Sequence, residues 1–211
     1  MTNGCKKLNE QSRKLMNKIC IEKPSPKDFP RIGELIYQVD PFIYPPLFGS
    51  PEVARETMPA LMAIPDSPFA VSHILVARLD NEIAGVSVCY LEPFASTPNL
   101  SRFYESGLPV PTSCKDVCER YLIPMCAQVG PAEAYLACIA TDKQYRNRGV
   151  ATALIKAIFD IAGGKSVSLD VLKDNAAAIS LYEGLGFRIT LETEGYAYNE
   201  PAPRVLRMVS R

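Results

Sequence analysis

An α/β layer with a parallel pair of strands at its centre is the fold class this sequence predicts, and three observations predict it. After residue 132 the segments read strand, helix, strand, helix, strand, an order that makes the first two strands parallel with a helix crossing between them. Sixteen of the eighteen prolines precede residue 132, the other two are Pro201 and Pro203, and none lies between. That span can run unbroken helices and central strands, whereas the front part must be rich in turns. The chain has 211 residues, 47% hydrophobic and 22% charged, the balance of one soluble globular domain whose core holds without staples.

The elements follow in order. Lys18 to Lys23 (KICIEK) reads as a short strand entering a helix over Pro26 to Gln38. A turn-rich stretch, Asp40 to Pro51, precedes a helix over Glu52 to Met62 with Ser50 as its N-cap. His73 to Leu79 and Ile83 to Tyr90 are β-rich runs joined by Asp80-Asn81-Glu82, a hairpin signal. Residues 91–131 are proline-rich, with a helix starting near Ser113, where Ser113 and Asp116 have capping-box spacing. Ala134 to Thr141 is a strand, and Gly149 to Ala162 is an apolar helix stopped by Gly163-Gly164. Ser166 to Leu172 alternates as a strand, Ala176 to Gly184 is a helix ended by glycine, and Phe187 to Glu192 and Val205 to Val209 close the sheet. Residues 1–17 form an extension and residues 18–211 a single domain.

Charge and cysteine usage narrow the function. Lys plus Arg is 23 and Asp plus Glu is 23, which argues against a nucleic-acid or anionic-membrane partner. No apolar run approaches the roughly 20 residues of a membrane span, and the first twenty residues lack the apolar stretch of a secretory signal. The seven cysteines are odd in number and show no paired-knuckle spacing, so free thiols in a reducing cytoplasm are expected. No metal site is expected. His73 is the only histidine, and Cys114, Cys118 and Cys126, near one helix face, read as core packing. The lone histidine and the lack of a Gly-x-Ser-x-Gly also exclude a Ser-His-Asp triad.

The segment from Ala140 to Ile158 (ATDKQYRNRGVATALIKAI) carries the first chemical signal. A strand ends at Thr141, a tight basic loop follows, and Gly149 admits the backbone to a helix at Val150, Ala151 and Thr152. The free N–H groups of a first helical turn, with the positive end of the dipole, form an anion site. Arg146 and Arg148 flank it, and small residues at Gly149 and Ala151 let a diphosphate approach closely. Gly-Lys-Ser/Thr is absent, which removes the Walker reading, and only Gly149 of a Gly-x-Gly-x-x-Gly is present. An ordinary strand–turn–helix with solvated arginines also fits this segment alone. In the second segment, Asp174 to Thr190 (DNAAAISLYEGLGFRIT), Asn175 can cap a helix or offer its amide to a ligand. Tyr182 lies two turns further along the same face, where a core aromatic is the more ordinary fate of a tyrosine taken alone.

Together these segments resemble the GNAT superfamily of acyl-CoA N-acyltransferases. Arg146-x-x-Gly149-x-Ala151 matches its pyrophosphate motif, and Asn175, Tyr182 and Gly186-Phe187 match its second motif at the family spacing. The resemblance implies a mixed, mostly antiparallel sheet of about six or seven strands, with a splayed parallel pair at its centre and helices on both faces. It implies acetyl-CoA as donor, with Ile139, Ala140 and Thr141 backbone along the acyl-pantetheine arm. The segment Arg146, Asn147, Arg148, Gly149, Val150, Ala151 and Thr152 would wrap the pyrophosphate. Asn175 then touches the CoA arm and Tyr182 protonates the departing thiolate. A glutamate common in the family falls at Tyr135 here, so Glu133, two residues earlier on the same strand face, is the candidate base.

The family joins its third and fourth strands by a short turn, so residues 91–131 are an insertion. This insertion, with Phe103 and Tyr104, and the aromatic segment Tyr37, Phe42, Tyr44 and Phe48 are expected to wall the acceptor pocket. The acceptor is a small-molecule or peptide amine, transferred to directly in a ternary complex, and a homodimer is possible. A non-catalytic CoA-binding sensor module is the second reading, and an α/β nucleotide-binding protein unrelated to CoA the third.

Overall fold

The computed structural model describes residues 18–64, 67–105, 107–126, 129–199 and 201–210, and the extension at residues 1–17 lies outside them. Seven strands form one sheet, β1 (Cys20–Glu22), β2 (Ile74–Leu79), β3 (Glu82–Tyr90), β4 (Glu133–Thr141), β5 (Ser166–Leu172), β6 (Phe187–Glu194) and β7 (Arg204–Ser210). Their spatial order is β1-β2-β3-β4-β5-β7-β6. Every neighbouring pair is antiparallel except β4 and β5, which are parallel. The expected sheet is therefore present, with its parallel pair at the centre.

Local chemistry accounts for the elements. The β2–β3 hairpin turns on Asp80 and Asn81 at φ 54° and 68°, the left-handed pair that a two-residue hairpin needs and that Asp and Asn tolerate. Helix α1 (Phe29–Tyr37) follows a 3-10 turn at Pro26–Asp28. The Asp40–Pro51 stretch, expected as turns alone, contains a short helix, α2 (Tyr44–Phe48). Its two prolines sit in the first turn, where no N–H is needed. Helix α3 (Pro51–Ala63) starts where expected, with the Ser50 side chain accepting from Val53 N–H at 3.2 Å.

The insertion at 91–131 is more helical than expected. It holds α4 (Ser101–Tyr104), α5 (Cys114–Val117), a π-helical stretch at Cys118–Leu122 and α6 (Ile123–Cys126). Pro124 has no N–H to return toward Arg120 and its ring crowds that carbonyl, so the preceding turn widens. The capping box expected at Ser113 does not form. Ser113 Oγ donates instead to the Pro46 carbonyl at 2.7 Å, and the Asp116 carboxylate accepts from Tyr196 Oη at 2.6 Å. Cys114, Cys118 and Cys126 are buried, free thiols.

Two cores sandwich the sheet. On one face α7 (Val150–Ala162) lays Val150, Leu154, Ile155 and Ile158 against Leu136, Leu169 and Met208, and α8 (Ala176–Gly184) completes that layer. On the other, α1, α3 and the insertion pack Ile32, Leu35, Met58 and Val117 against Val76, Val86 and Val88. Where α7 crosses β3 the sheet carries Gly85, and a Cβ there would sit 2.7 Å from Val150 Cγ1 and 2.8 Å from the Ala140 carbonyl oxygen. Backbone on the β4 side cannot yield, so α7 would have to lift. Gly85→Ala is therefore expected to cost about 1–3 kcal/mol by overpacking. Chemical denaturation checks this, and an unchanged midpoint would show that α7 is not seated as described.

Candidate active site

Strands β4 and β5 run side by side only at their starts. The parallel register holds Glu133 against Ser166, Ala134 against Val167 and Tyr135 against Ser168, and ends there, although β4 continues to Thr141 and β5 to Leu172. Each strand follows its outer partner. Along β3, Cys138 faces Val88 and Leu136 faces Cys89, so Ala137 is an extra residue, a bulge. A bulge bends and twists its strand. On the far side β5 stays paired with β7 from Ser168 to Leu172. The facing edges of β4 and β5 past Tyr135 thus lack a ladder partner in each other, and buried groups of that kind need another partner.

The chain leaves β4 through a braced turn. Asp142 Oδ1 accepts from Gln144 N–H at 2.9 Å, and Oδ2 is ion-paired with Arg31 of α1. Asn147 and Gly149 then adopt φ 61° and 82°, conformations that Asn and Gly tolerate best. The first return bond of α7 is Ala153 N–H to the Gly149 carbonyl at 2.9 Å, so the amides of Val150, Ala151 and Thr152 have no acceptor inside the helix. Arg146, Asn147, Arg148 and Gly149 are exposed around this end, and the Arg148 guanidinium lies over the Tyr145 ring at 5.6 Å. Amides, helix dipole and arginines together make a binding place for a diphosphate.

Helix α8 brings the second segment to the gap. Asn175 Oδ1 caps it by accepting from Ala178 N–H at 3.2 Å, which leaves the side-chain amide N–H groups for a ligand. Tyr182 is 7% exposed, and its hydroxyl has no hydrogen-bond partner among the described residues. Burial pushes its phenol up to about 12, and the nearby Cys138 thiol adds to the rise. Burial likewise pushes Cys138 up to about 12.

A cavity of about 880 Å³ occupies the gap and takes its walls from both faces of the sheet. On the α7/α8 face the lining includes Ile139, Thr141, Ala151, Asn175 and Tyr182. On the opposite face it includes Asp40, Ile43 and Tyr44 after α1, Tyr196 after β6, and Arg120, Tyr121, Pro124 and Met125 of the insertion. The insertion therefore does line the cavity, but not through the residues expected. Phe103 is buried in the core, and Tyr104 Oη donates to Glu119 Oε1 at 3.1 Å. Of the aromatic segment after α1, Tyr44 reaches the lining, whereas Phe48 is wholly buried in the core and Tyr37 Oη donates to the Gly49 carbonyl.

Three neighbouring strands place a charged network on that second face. Arg207 of β7 donates to Asp170 of β5 through Nε and Nη2 at 2.7 and 3.0 Å. Tyr135 of β4 donates to Asp170 Oδ2 at 3.0 Å, with the Arg207 guanidinium 5.1 Å above its ring. Glu133 stands 3.8 Å from Arg207 at the closed end of the gap, outside the cavity lining. Asp170 and Arg207 were missed in the sequence. The alternation of Ser166–Leu172 does set Asp170 opposite the apolar face, the one available signal, but Arg207 lies 37 residues away. Asp40 was missed as well. Its Oδ1 accepts from Phe42 N–H at 2.8 Å, and burial holds its carboxyl above the usual aspartate range against the pull of the Phe42 and Ile43 amides.

Comparison with known proteins agrees with this geometry. Residues 37–187 match the sequence profile described as Acetyltransferase (GNAT) family. The chain is 43% identical over 56 residues to N-alpha-acetyltransferase 30 of Schizosaccharomyces pombe, covering 25% of this chain and 37% of that protein. It is 38% identical over 58 residues to N-alpha-acetyltransferase RimI of Mycobacterium tuberculosis, covering 28% and 37%. The matches thus span well under half of these relatives. Among solved structures, an N-acetyltransferase from Staphylococcus aureus Mu50 superposes with a TM-score of 0.68 at 21% identity, over 90% of this chain and 99% of that one. The ribosomal-protein-S18-alanine N-acetyltransferase of Escherichia coli gives 0.55 at 18% identity, over 92% and 93%. With a profile match across most of the chain and a central parallel pair that opens after three residue pairs, this protein belongs to the GNAT acetyltransferase family.

Proposed function

We propose that the protein transfers an acetyl group from acetyl-CoA to a primary amine by direct attack in a ternary complex. The observation that carries the reading is the cavity through the β4–β5 gap, which joins the anion-binding turn on one face to a polar chamber on the other. The donor enters as a substrate on the α7/α8 face. The amides from Gly149 to Thr152, with Arg146, Asn147 and Arg148, take its pyrophosphate. The open edge of β4 from Ile139 through Ala140 to Thr141 takes the acyl-pantetheine arm, with the Ile139 N–H polarising the thioester carbonyl. The Asn175 amide meets the arm from α8.

The amine reaches the same carbon from the other face, having lost one proton to solvent. Its nitrogen forms the C–N bond as the C–S bond breaks, and the nitrogen's second proton replaces, in net terms, the one Tyr182 gives to the leaving sulfur. An unburied thiol has a pKa of about 8.5, too low to match a phenol near 12. The sulfur leaves inside the same gap, however, where burial raises a thiol in the direction in which it raises Cys138 and the Tyr182 phenol. Acid and leaving group are thereby closer than in water, which favours proton donation. Tyr135, whose hydroxyl is committed to Asp170, and Glu133, ion-paired with Arg207, support this chamber and do not act as the base. Two relatives are named N-alpha-acetyltransferases, which favours the terminal amine of a peptide as acceptor.

Two outcomes test the reading. Tyr182→Phe keeps the buried ring and loses a hydroxyl that has no partner, so Tm and acetyl-CoA affinity should hold while kcat falls about 10²-fold or more. Thiol-release assays and calorimetry check this, and an unaffected kcat would remove Tyr182 from the chemistry. Arg146→Ala should weaken acetyl-CoA, free CoA and adenosine 3′,5′-bisphosphate alike, by about tenfold. A wild-type protein that binds none of the three would overturn the proposed function.

A further inference from the structure

We propose that Asp40 and Tyr121, the latter from the insertion, form the subsite that takes the positively charged amino group of the acceptor before transfer. The inference rests on the transferase reading and names the chemistry by which its second substrate is recognised.

The cavity wall carries three carboxylates, Asp40, Asp170 and Glu194. Asp170 is neutralised by the two-pronged contact with Arg207 and further held by Tyr135. Glu194 has Arg204 at 4.0 Å. Asp40 has no Lys, Arg or His within ion-pair distance among the described residues. Its orientation is fixed all the same. Oδ1 accepts from Phe42 N–H, and the Asp40 carbonyl accepts from Ile43 N–H at 3.4 Å and Tyr44 N–H at 3.1 Å. A part-buried carboxylate with no cation beside it carries an uncompensated desolvation cost. A cationic group arriving in the cavity relieves that cost, and a neutral or anionic one does not.

The insertion supplies the second half of the subsite. Its widened turn at Cys118–Leu122 keeps Cys118 and Leu122 in the core while Arg120 and Tyr121 reach the cavity. Burial, and then the charges of Asp40 and Asp170, raise the Tyr121 phenol above the usual tyrosine range. Tyr121 lines the same cavity as both carboxylates. Its ring is 5.5 Å from that of Tyr196, and the Tyr196 hydroxyl bonds to Asp116 one helical turn before Tyr121. The clasp holds the aromatic wall in place. A cavity that carries an unpaired carboxylate and tyrosine rings on its wall suits a cation, because ring faces attract an ammonium that the carboxylate neutralises. Asp170, with its charge already met, offers no such attraction.

The test uses the full chain with acetyl-CoA and a panel of tripeptide amides bearing a free N-terminus. The same peptides with a trimethylated N-terminus serve as permanent cations that cannot be acetylated. Asp40→Asn retains the acceptor for Phe42 N–H and removes only the charge. It should raise acceptor KM about tenfold or more, leave acetyl-CoA affinity within about twofold, and abolish competitive inhibition by the trimethylated peptide. Tyr121→Leu should weaken acceptor and inhibitor several-fold, and Tyr121→Phe should recover most of that loss. Turnover by the wild type with the same KM and inhibition constant in Asp40→Asn would overturn the subsite alone. If the wild type binds acetyl-CoA yet turns over no amine, the transferase reading fails separately. Calorimetry of the trimethylated peptide then decides the subsite, which stands if binding is lost in Asp40→Asn and falls if the two proteins bind alike.

Discussion

Everything in this molecule depends on β4 and β5 parting after Tyr135. A central parallel pair would ordinarily be the most completely bonded part of a sheet. Here three residue pairs are kept and the rest given up. The strands do not separate by being weak. Each is gripped more firmly by its outer neighbour, β4 through a bulged register with β3 and β5 through an unbroken one with β7. Ala137, the extra residue, bends β4 away from the line β5 must follow. Edge groups without a ladder partner are the cost of that arrangement, and they leave a backbone edge with which a ligand bearing amides of its own can pair.

The gap also explains how one domain keeps two chemistries apart. The α7/α8 face offers backbone amides and exposed arginines, suited to a long polyanion. The opposite face offers phenols and carboxylates, of which Asp170 and Glu194 have an arginine partner and Asp40 has none among the described residues. Formal charge is zero over the whole chain, so the balanced composition concealed the polarity of the site. Between them, at the crossing point, lie Cys138 and Tyr182, both deep enough for burial to govern their acidity. Under the proposed reading, low dielectric at that point serves the proton transfer and keeps water from the thioester.

How far this was legible in the sequence divides at about residue 132. Behind it, Ser166–Leu172 and Ala176–Gly184 lie where alternation, caps and glycines placed them, because those signals are local and no proline interrupts them. The anion turn and the Asn175–Tyr182 spacing were readable for the same reason. In front of it the determinants are distant partners. Ser113 has the spacing of a cap yet spends its hydroxyl on Pro46, 67 positions earlier. Asp116 bonds to Tyr196, 80 positions later. Phe103 and Tyr121 are both insertion aromatics, and only packing sends the first to the core and the second to the cavity. Asp40 is one acidic residue in a turn until the structure shows it on the cavity wall with no ion-pair partner among the described residues.

The insertion's position has a consequence for specificity. It touches α2 through Ser113 and the β6–β7 connection through Tyr196, so the second face of the cavity is braced by three segments far apart in sequence. None of them contributes to the basic turn at residues 146–149 or to α8. Under the proposed reading, substitutions in the insertion reshape acceptor choice while leaving donor binding to β4, α7 and α8. The dependence is not symmetrical. Arg31 of α1 braces Asp142 at the mouth of the donor turn, so α1 serves both sites, and Asp40 follows three residues after that helix ends. A shift of α1 would therefore move together the turn at Asp142, proposed for the pyrophosphate, and Asp40, proposed for the amine.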